Sequence, residues 1–598
     1  MKDLMSFITI LKNDRPAKSV LAIFYFLLST CVVFVPDVLT EVELSKFFAM
    51  AFLTVLFLIG VASIFFFDRT PINLDLNITD IIVGIYILYL IMLKSIGGRF
   101  GDDISWMWIF MWLNYYLIRF FAPEDKENRS LMVTAVTLAI ASLVALSMIF
   151  NIFFPESRDF LVTNPFFNNG PAAQYLAYMS CLAFHYLIYK SEVPSYMTYL
   201  SLMVLSMAFI LFAGNDSRTS LLCLFVGLAY IWSIRKSYLS RKGIVASMVV
   251  VFLVFSGFLA FFFKSDSAAG RILIWKISLN NLSSDFWIGK GLNIFQDEYP
   301  KWQESYFSEG GKKSEILLAD KVAYAYNDFL QIFIEQGSVG LLFFTAIIFT
   351  VFFLISLEKK DSLWKALLLC IVCSMAFSYP LEMVVHSYLL VVSVALLSSF
   401  QQKKTINIYL SKWKVIVLSV TVFFASVTSS YLLFGKYVLR RHQVAADVRY
   451  RTGDLPGAEK SYFLLFHELD HDASFLQNYG KTLSRLGKYQ LSDTVLNKAE
   501  QLTSDPFLFI TMAENRMKSF EPRVDEAANL LRRAIDCIPN RMYPRYLLFK
   551  LFVNHGRIEE AKNIANEILS MDIKVASQAT ATMQNDVKTK LRSLENAR

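Results

Sequence analysis

Charge, glycine, proline and histidine are all scarce in this chain of 598 residues, which has 18% Asp, Glu, Lys and Arg, 23 Gly, 15 Pro and six His. A water-soluble domain carries about a quarter charged and about 45–50% apolar residues. Here 55% are apolar and 15% aromatic. The shortage of charge excludes an ordinary soluble enzyme. The few glycines and prolines exclude a disordered, collagen-like or low-complexity chain. Cysteine is scarce too: Cys31, Cys181, Cys223, Cys370, Cys373 and Cys537 are scattered, mostly inside apolar runs. A thiol there acts as a small hydrophobe, so no disulfide framework is expected. Cys370 and Cys373 make a C-x-x-C, but ALLLCIVCSMAF offers no second pair, histidine or polar neighbour for a metal. The chain also lacks G-x-x-x-x-G-K-[ST] and H-E-x-x-H. Those absences count against an ATP-driven transporter and a zinc protease.

What the chain has in abundance is long apolar runs. Windows long enough to cross a bilayer core lie near 19–36, 47–67, 79–97, 104–121, 131–154, 172–189 and 196–213. Others lie near 219–234, 243–263, 339–356, 365–379, 384–399 and 414–434. They predict an all-α, polytopic bundle of about thirteen spans. With the N-terminus inside, twenty Lys and Arg fall on inner segments and five (Lys46, Lys94, Arg99, Arg158, Arg218) on short outer loops. Cytoplasmic loops collect positive charge, so this asymmetry sets the N-terminus in the cytoplasm. It also accounts for most of the net charge of +8, leaving little support for nucleic acid as a partner. The start, MKDLMSFITILKNDRPAKSV, is too polar for a cleaved signal peptide, and the first span is expected to stay as an anchor. An odd number of spans puts the long segment 264–328 and everything after about residue 435 on the exported side.

The chain therefore divides into a transmembrane domain, 1–435, and a soluble helical domain, 436–598. The second carries a repeat. Ala458, Ser492, Ala527 and Ala561 are 34, 35 and 34 residues apart; Gly453, Gly487, Pro522 and Gly556 stand five before them. Tyr462, Leu496, Leu531 and Ala565 stand four after. This pattern resembles the tetratricopeptide repeat, where small residues let paired helices approach closely. Such a solenoid supplies a binding face, so a protein partner is expected there. Its HELDHD segment, His467 to Asp472, contains ligand types, but a charged interhelical loop is the plainer explanation and no metal is assigned.

Chemistry is sought in the exported loop 264–328, since loops of that length are seldom idle. It contains Gly270-Arg271 and Trp275, then Trp287-Ile288-Gly289-Lys290-Gly291-Leu292 and Phe295. Tyr326-Asn327-Asp328-Phe329-Leu330-Gln331 follows, with Glu335, Gly337 and Gly340. In order and in placement between two spans, these blocks resemble the O-antigen ligase and Wzy-type polymerase superfamily. Two further blocks agree: Gly214-Asn215-Asp216-Ser217-Arg218-Thr219-Ser220, and Asn168-Asn169-Gly170-Pro171 before Tyr175-Leu176-Ala177. The resemblance covers about 130–400.

It implies a GT-C-like, cofactor-free and metal-independent glycosyltransferase in a bacterial inner membrane, with a periplasmic tail. Its donor would be a glycan on undecaprenyl diphosphate, and its acceptor a lipid core or protein hydroxyl. Arg218 and Arg271 match the family's two arginines, and Asn327 and Asn169 join them as implied substrate-binding residues. A guanidinium suits the task because it meets diphosphate oxygens bidentately and never deprotonates. The chain departs from the family where many members have histidine before the asparagine: here stands Tyr326, and the loop has no histidine. An unperturbed phenol, with pKa about 10, is a poor base near neutrality. A carboxylate is expected to take over, Asp328 first and Glu335 second, with Tyr326 orienting the acceptor or donating to phosphate. His386 is a possible spatial replacement, set against a packing role. The bulky exported tail favours en bloc transfer by a ligase. A polymerase of polysaccharide repeat units is the alternative, followed by a non-catalytic glycolipid transporter, which would need polar residues deep in several spans. Asn114 and His185 are the main ones.

Overall fold

The computed structural model describes residues 24–39, 43–96, 103, 105–121, 126–153, 165–166, 168–188, 195–213, 217–236, 265–282, 285–355, 362–401, 405–519, 523–574 and 576–596. They form two compact units. The first comprises Met1–Gly98, Asp103–Phe263 and Tyr326–Val438; the second comprises Arg99–Asp102, Lys264–Ala325 and Leu439–Arg598.

The first unit is the membrane bundle, and the protein is all-α. Each apolar window is helical over most of its described length, although the helix of the 365–379 window ends at Met375; 243–263 lies outside the described residues. Among those, Leu44–Asp68, Ile78–Ser95, Met132–Phe150, Asp328–Leu354 and Lys412–Thr452 are long and apolar enough to cross a membrane. Shorter apolar helices accompany them, including Arg218–Ile234, Leu363–Met375 and Val384–Ser399. Small residues permit the closest approaches. A Cβ on Gly227 would stand 2.4 Å from the Cys370 sulfur and 2.6 Å from that of Cys181, so these thiols are packing groups, as their apolar surroundings suggest. Asn114, inside a span, accepts from Tyr25 and Thr54, and His185 lies 3.4 Å from the Ser362 hydroxyl. Both polar residues tie helices together.

Among the described residues one short ladder interrupts the helices. Ile72–Leu76 pairs antiparallel with Ile406–Leu410, Ile72 opposite Leu410 and Leu76 opposite Ile406. INLDL alternates between half-buried and exposed positions, the two-residue period of a strand. Next to it Asn77 and Asp80 cap the helix Ile78–Ile96 reciprocally: the Asp80 amide donates to Asn77 Oδ1 at 3.0 Å and the Asn77 amide to Asp80 Oδ2 at 2.8 Å.

The second unit stacks antiparallel helix pairs. Leu455–Leu469 is followed by Ala473–Arg485, Tyr489–Leu502 by Pro506–Lys518, Val524–Cys537 by Met542–Asn554, and Ile558–Ser570 by Gln578–Asn596. The predicted repeat positions form its core: Ala458, Ser492, Ala527, Ala561 and Tyr462, Leu496, Leu531, Ala565 are all buried. Gly453, Gly487 and Gly556 adopt φ of 87°, 76° and 70°, the left-handed region that a side chain resists; Pro522 lies outside the described residues. A Cβ on Gly480 would stand 2.3 Å from Leu496, so close helix contact depends on its absence. Asp472 and Asp505 cap their helices through the Phe475 and Phe507 amides at 2.9 and 2.8 Å. Asp472 also pairs with Arg440 and Asp470 with Lys498, which leaves the second half of HELDHD, residues 470–472, as an interhelical charged turn.

Candidate functional site

The helix Asp328–Phe349 organises the site in the first unit. The chain enters it through Tyr326, whose φ of 53° places a bulky residue in the left-handed region at an energetic cost. Asn327 is extended, and its side-chain oxygen caps the helix by accepting from the Leu330 amide at 3.0 Å. Asn327 therefore has a structural task whatever it does for a ligand. The helix then breaks at Gly337, where φ is 67° and ψ −174°. In lipid every released backbone group needs a partner. Tyr89 supplies one by donating to the Gln336 carbonyl at 2.5 Å, and Tyr86 donates to the Gln336 side-chain oxygen at 2.7 Å. A Cβ on Gly340 would lie 2.4 Å from Gln336 Cβ. Both motif glycines thus have a steric reason.

Three segments distant in sequence meet at the head of this helix. Tyr326 packs edge-on against Tyr379, with ring centroids 5.3 Å apart, and Asn168 donates to the Tyr379 hydroxyl at 2.9 Å. Asp328, 2% exposed, accepts the Leu381 amide at 3.0 Å. Gln331 donates to Glu382 at 2.6 Å and to Glu335, one turn on, at 3.3 Å. Glu335 and Glu382 thereby share the Gln331 side-chain amide, and Asp328 is held by the backbone amide next to Glu382. Tyr379 and Glu382 had not been singled out from sequence, and Gln331 only as a motif position. Glu382 falls in the apolar stretch YPLEMVV, where a lone carboxylate between two spans was the available signal.

A second group lies beside it. Glu43, also left-handed with φ 64°, pairs with Lys46, which is 1% exposed, and accepts the Val384 amide at 3.1 Å. Lys46 donates to the Pro165 carbonyl at 2.8 Å. Counted from sequence as an outer-loop charge, Lys46 is a buried cross-link. His386 is fully buried among Phe166, Tyr175 and Tyr178, with Nε2 3.1 Å from the Pro171 carbonyl. That is the packing role.

Asn169 begins the helix Asn169–Ile188 and is exposed. Arg218 is the first residue of the helix Arg218–Lys236 and is half-buried; the adjoining Ser217 and Ser220 hydroxyls lie 2.7 Å apart. Gly214, Asn215 and Asp216 of the same motif lie outside the described residues. Arg271 belongs to the second unit, half-buried on the helix Ser265–Asn280. One turn on, Trp275 Nε1 donates to the Ala325 carbonyl at 2.8 Å, and Lys276 bonds Tyr306 at 2.7 Å and Glu315 at 2.9 Å. Among the described residues no group of His, Cys, Asp and Glu is arranged to hold a metal ion.

Residues 202–345 match the family model of the O-antigen ligase. The match spans Arg218, Arg271, Tyr326, Asn327, Asp328 and Glu335 and supports, at a coarse level, a transferase of the ligase and polymerase group. Asn169 and Glu382 lie outside it. No curated protein matches the chain. Among solved structures, the crystal structure of the yeast Tom70 is similar at 9% identity over 85% of this chain and 96% of that one, with a TM-score of 0.25.

Proposed function

We propose that this protein transfers a glycan en bloc from a polyprenyl-diphosphate carrier to an acceptor hydroxyl, on lipid or protein, at the exported face of a bacterial inner membrane. The observation that carries the reading is the meeting of Tyr326, Asp328 and Glu335 with Tyr379 and Glu382 at the head of a broken membrane helix, in a chain whose residues 202–345 match the O-antigen ligase. The acceptor oxygen attacks the anomeric carbon. The bond from that carbon to the diphosphate oxygen breaks, and the polyprenyl diphosphate departs with the negative charge. The acceptor proton passes to a carboxylate, Asp328 in first place, with Glu335 and Glu382 as its near neighbours. Tyr326, paired with Tyr379, orients the acceptor. Arg218 and Arg271 stabilise the charge that develops on the diphosphate, the kind of interaction that contributes most when it strengthens in the transition state. Asn169 and Asn327 complete donor binding.

The test is replacement of Arg218 or Arg271 by Ala in cells deleted for this chain, with membrane insertion verified. Glycan transfer is expected to cease while lipid-linked donor accumulates. Lipopolysaccharide ladders and glycoprotein staining of the deletion then separate the products. Total loss of long chains means ligation to lipid, loss from proteins alone means a protein acceptor, and retention of one capped unit means polymerisation. An unchanged pattern in all of them overturns the enzyme reading.

A further inference from the structure

The repeats of the second unit are built like a binding face, yet part of that face already holds the chain's own loop. The helix Phe295–Ser308 buries Phe295, Tyr299, Trp302 and Gln303 and packs on the repeat helix Val524–Cys537. Its polar contacts fall on groups that a helix end leaves without partners. Gln303, itself buried, donates to the carbonyl of Cys537 at 2.6 Å, at the very end of that repeat helix. Lys301 donates to the Gln501 carbonyl at 3.1 Å, at the end of Tyr489–Leu502. There a cation also meets the negative end of the helix dipole.

The repeats reciprocate. Asn540 donates to the Ile316 and Ala319 carbonyls, and Arg533 holds Glu304 at 2.7 Å while bonding Glu500. Lys574 and Arg541 reach Asp320 at 3.1 and 3.2 Å. Each side satisfies backbone groups of the other, and a buried carbonyl left unpaired is destabilising. A groove awaiting a separate protein would leave those carbonyls to water.

The same loop is wired to the helix of Arg271: Lys276, five residues beyond the arginine, bonds Tyr306 and Glu315. We propose that the repeat domain is a scaffold for this loop, and that Gln303, Glu304, Arg533 and Asn540 are positioning residues that hold Arg271 in place for a polyprenyl diphosphate. The proposal rests on the donor reading given above.

The test uses the full chain purified in detergent and undecaprenyl diphosphate as the probe. Gln303→Ala combined with Arg533→Ala is expected to weaken its binding about tenfold, equivalent to about 1.4 kcal/mol, and to speed hydrogen exchange at residues 313–318. Arg533→Lys, which keeps the charge, is expected to stay near the parent in both. If the double variant does not fold, Glu304→Gln and Asn540→Ala, each expected to loosen the same tether, take its place. Parental affinity in folded tether variants, with Arg271→Ala weakened, overturns the scaffold. Parental affinity in Arg271→Ala overturns the donor reading beneath it.

Discussion

Asp328 and Glu382 come from different segments, yet each bonds the other's: Asp328 accepts from the Leu381 amide, and Glu382 from Gln331, one turn beyond Asp328. If Asp328 takes the acceptor proton, Asp328→Asn keeps the volume and the Leu381 contact but removes the base. Its kcat is expected to fall by about 10² to 10⁴, the usual contribution of a positioned base. Glu382→Gln is expected to fall by less, and the order of the two in a transfer assay on membranes decides which carboxylate carries the step. Gly337 gives a cleaner prediction, because the left-handed backbone needs no chemistry to test. With φ at 67°, Gly337→Ala is expected to lose about 1–2 kcal/mol of stability, measured by unfolding in detergent. Gly337 and Gly340 were legible in sequence as motif positions. Their reason, a broken helix held by Tyr86 and Tyr89, was not, since those tyrosines belong to a helix far away in the chain.

At the level of elements, the helix Asp328–Phe349 depends on its cap. Asn327→Ala removes the acceptor for the Leu330 amide and is expected to cost about 1 kcal/mol. Asn327→Asp is expected to recover most of it, because a carboxylate caps equally well. If both variants bind donor like the parent, capping is the whole of this residue's task. Elements whose pattern is local were read correctly from sequence. The apolar windows are mostly helical where described, and the spacing of 34 or 35 residues placed Ala458, Ser492, Ala527 and Ala561 in the repeat core. The ladder Ile72–Leu76 with Ile406–Leu410 was missed, because five-residue strands separated by most of a bundle carry no local signal beyond alternation. Lysines also have tasks that a charge count does not show. Lys46 is a buried cross-link, and Lys365 donates at 2.6 Å to the carbonyls of Phe352 and Ile355. A positive charge counted for topology can equally satisfy a helix end.

Across the whole molecule, the second unit is where ionisation bears on stability. Burial opposes charge on Asp320, but the Lys321 amide, Lys574 and Arg541 outweigh it and hold its carboxyl below the usual aspartate range. A carboxyl lowered in the folded state adds stability above its unfolded pKa of about 4 and loses it as the pH falls through the folded value. Asp536, pushed up mainly by burial, acts with the opposite sign. The measurement is therefore a comparison: Asp320→Asn is expected to flatten the acid limb of loop protection, read by hydrogen exchange at 313–318, relative to the parent. An identical acid limb would mean that the Asp320 pairs add nothing to loop attachment.

The sequence by itself determined the solvent of each region, the helices, the repeat period and the motif residues that suggest glycan transfer. The first three follow from composition and from spacings of a few dozen residues at most, over which periodicity is written into the chain; the motif residues rest on a resemblance to a known family. Only the tertiary structure decided which residues meet. It brought Tyr379 and Glu382 to Asp328, turned Lys46 and His386 inward, and filled part of the repeat surface with residues 295–321. Those contacts join positions tens to hundreds of residues apart, where packing rather than local preference chooses the neighbour.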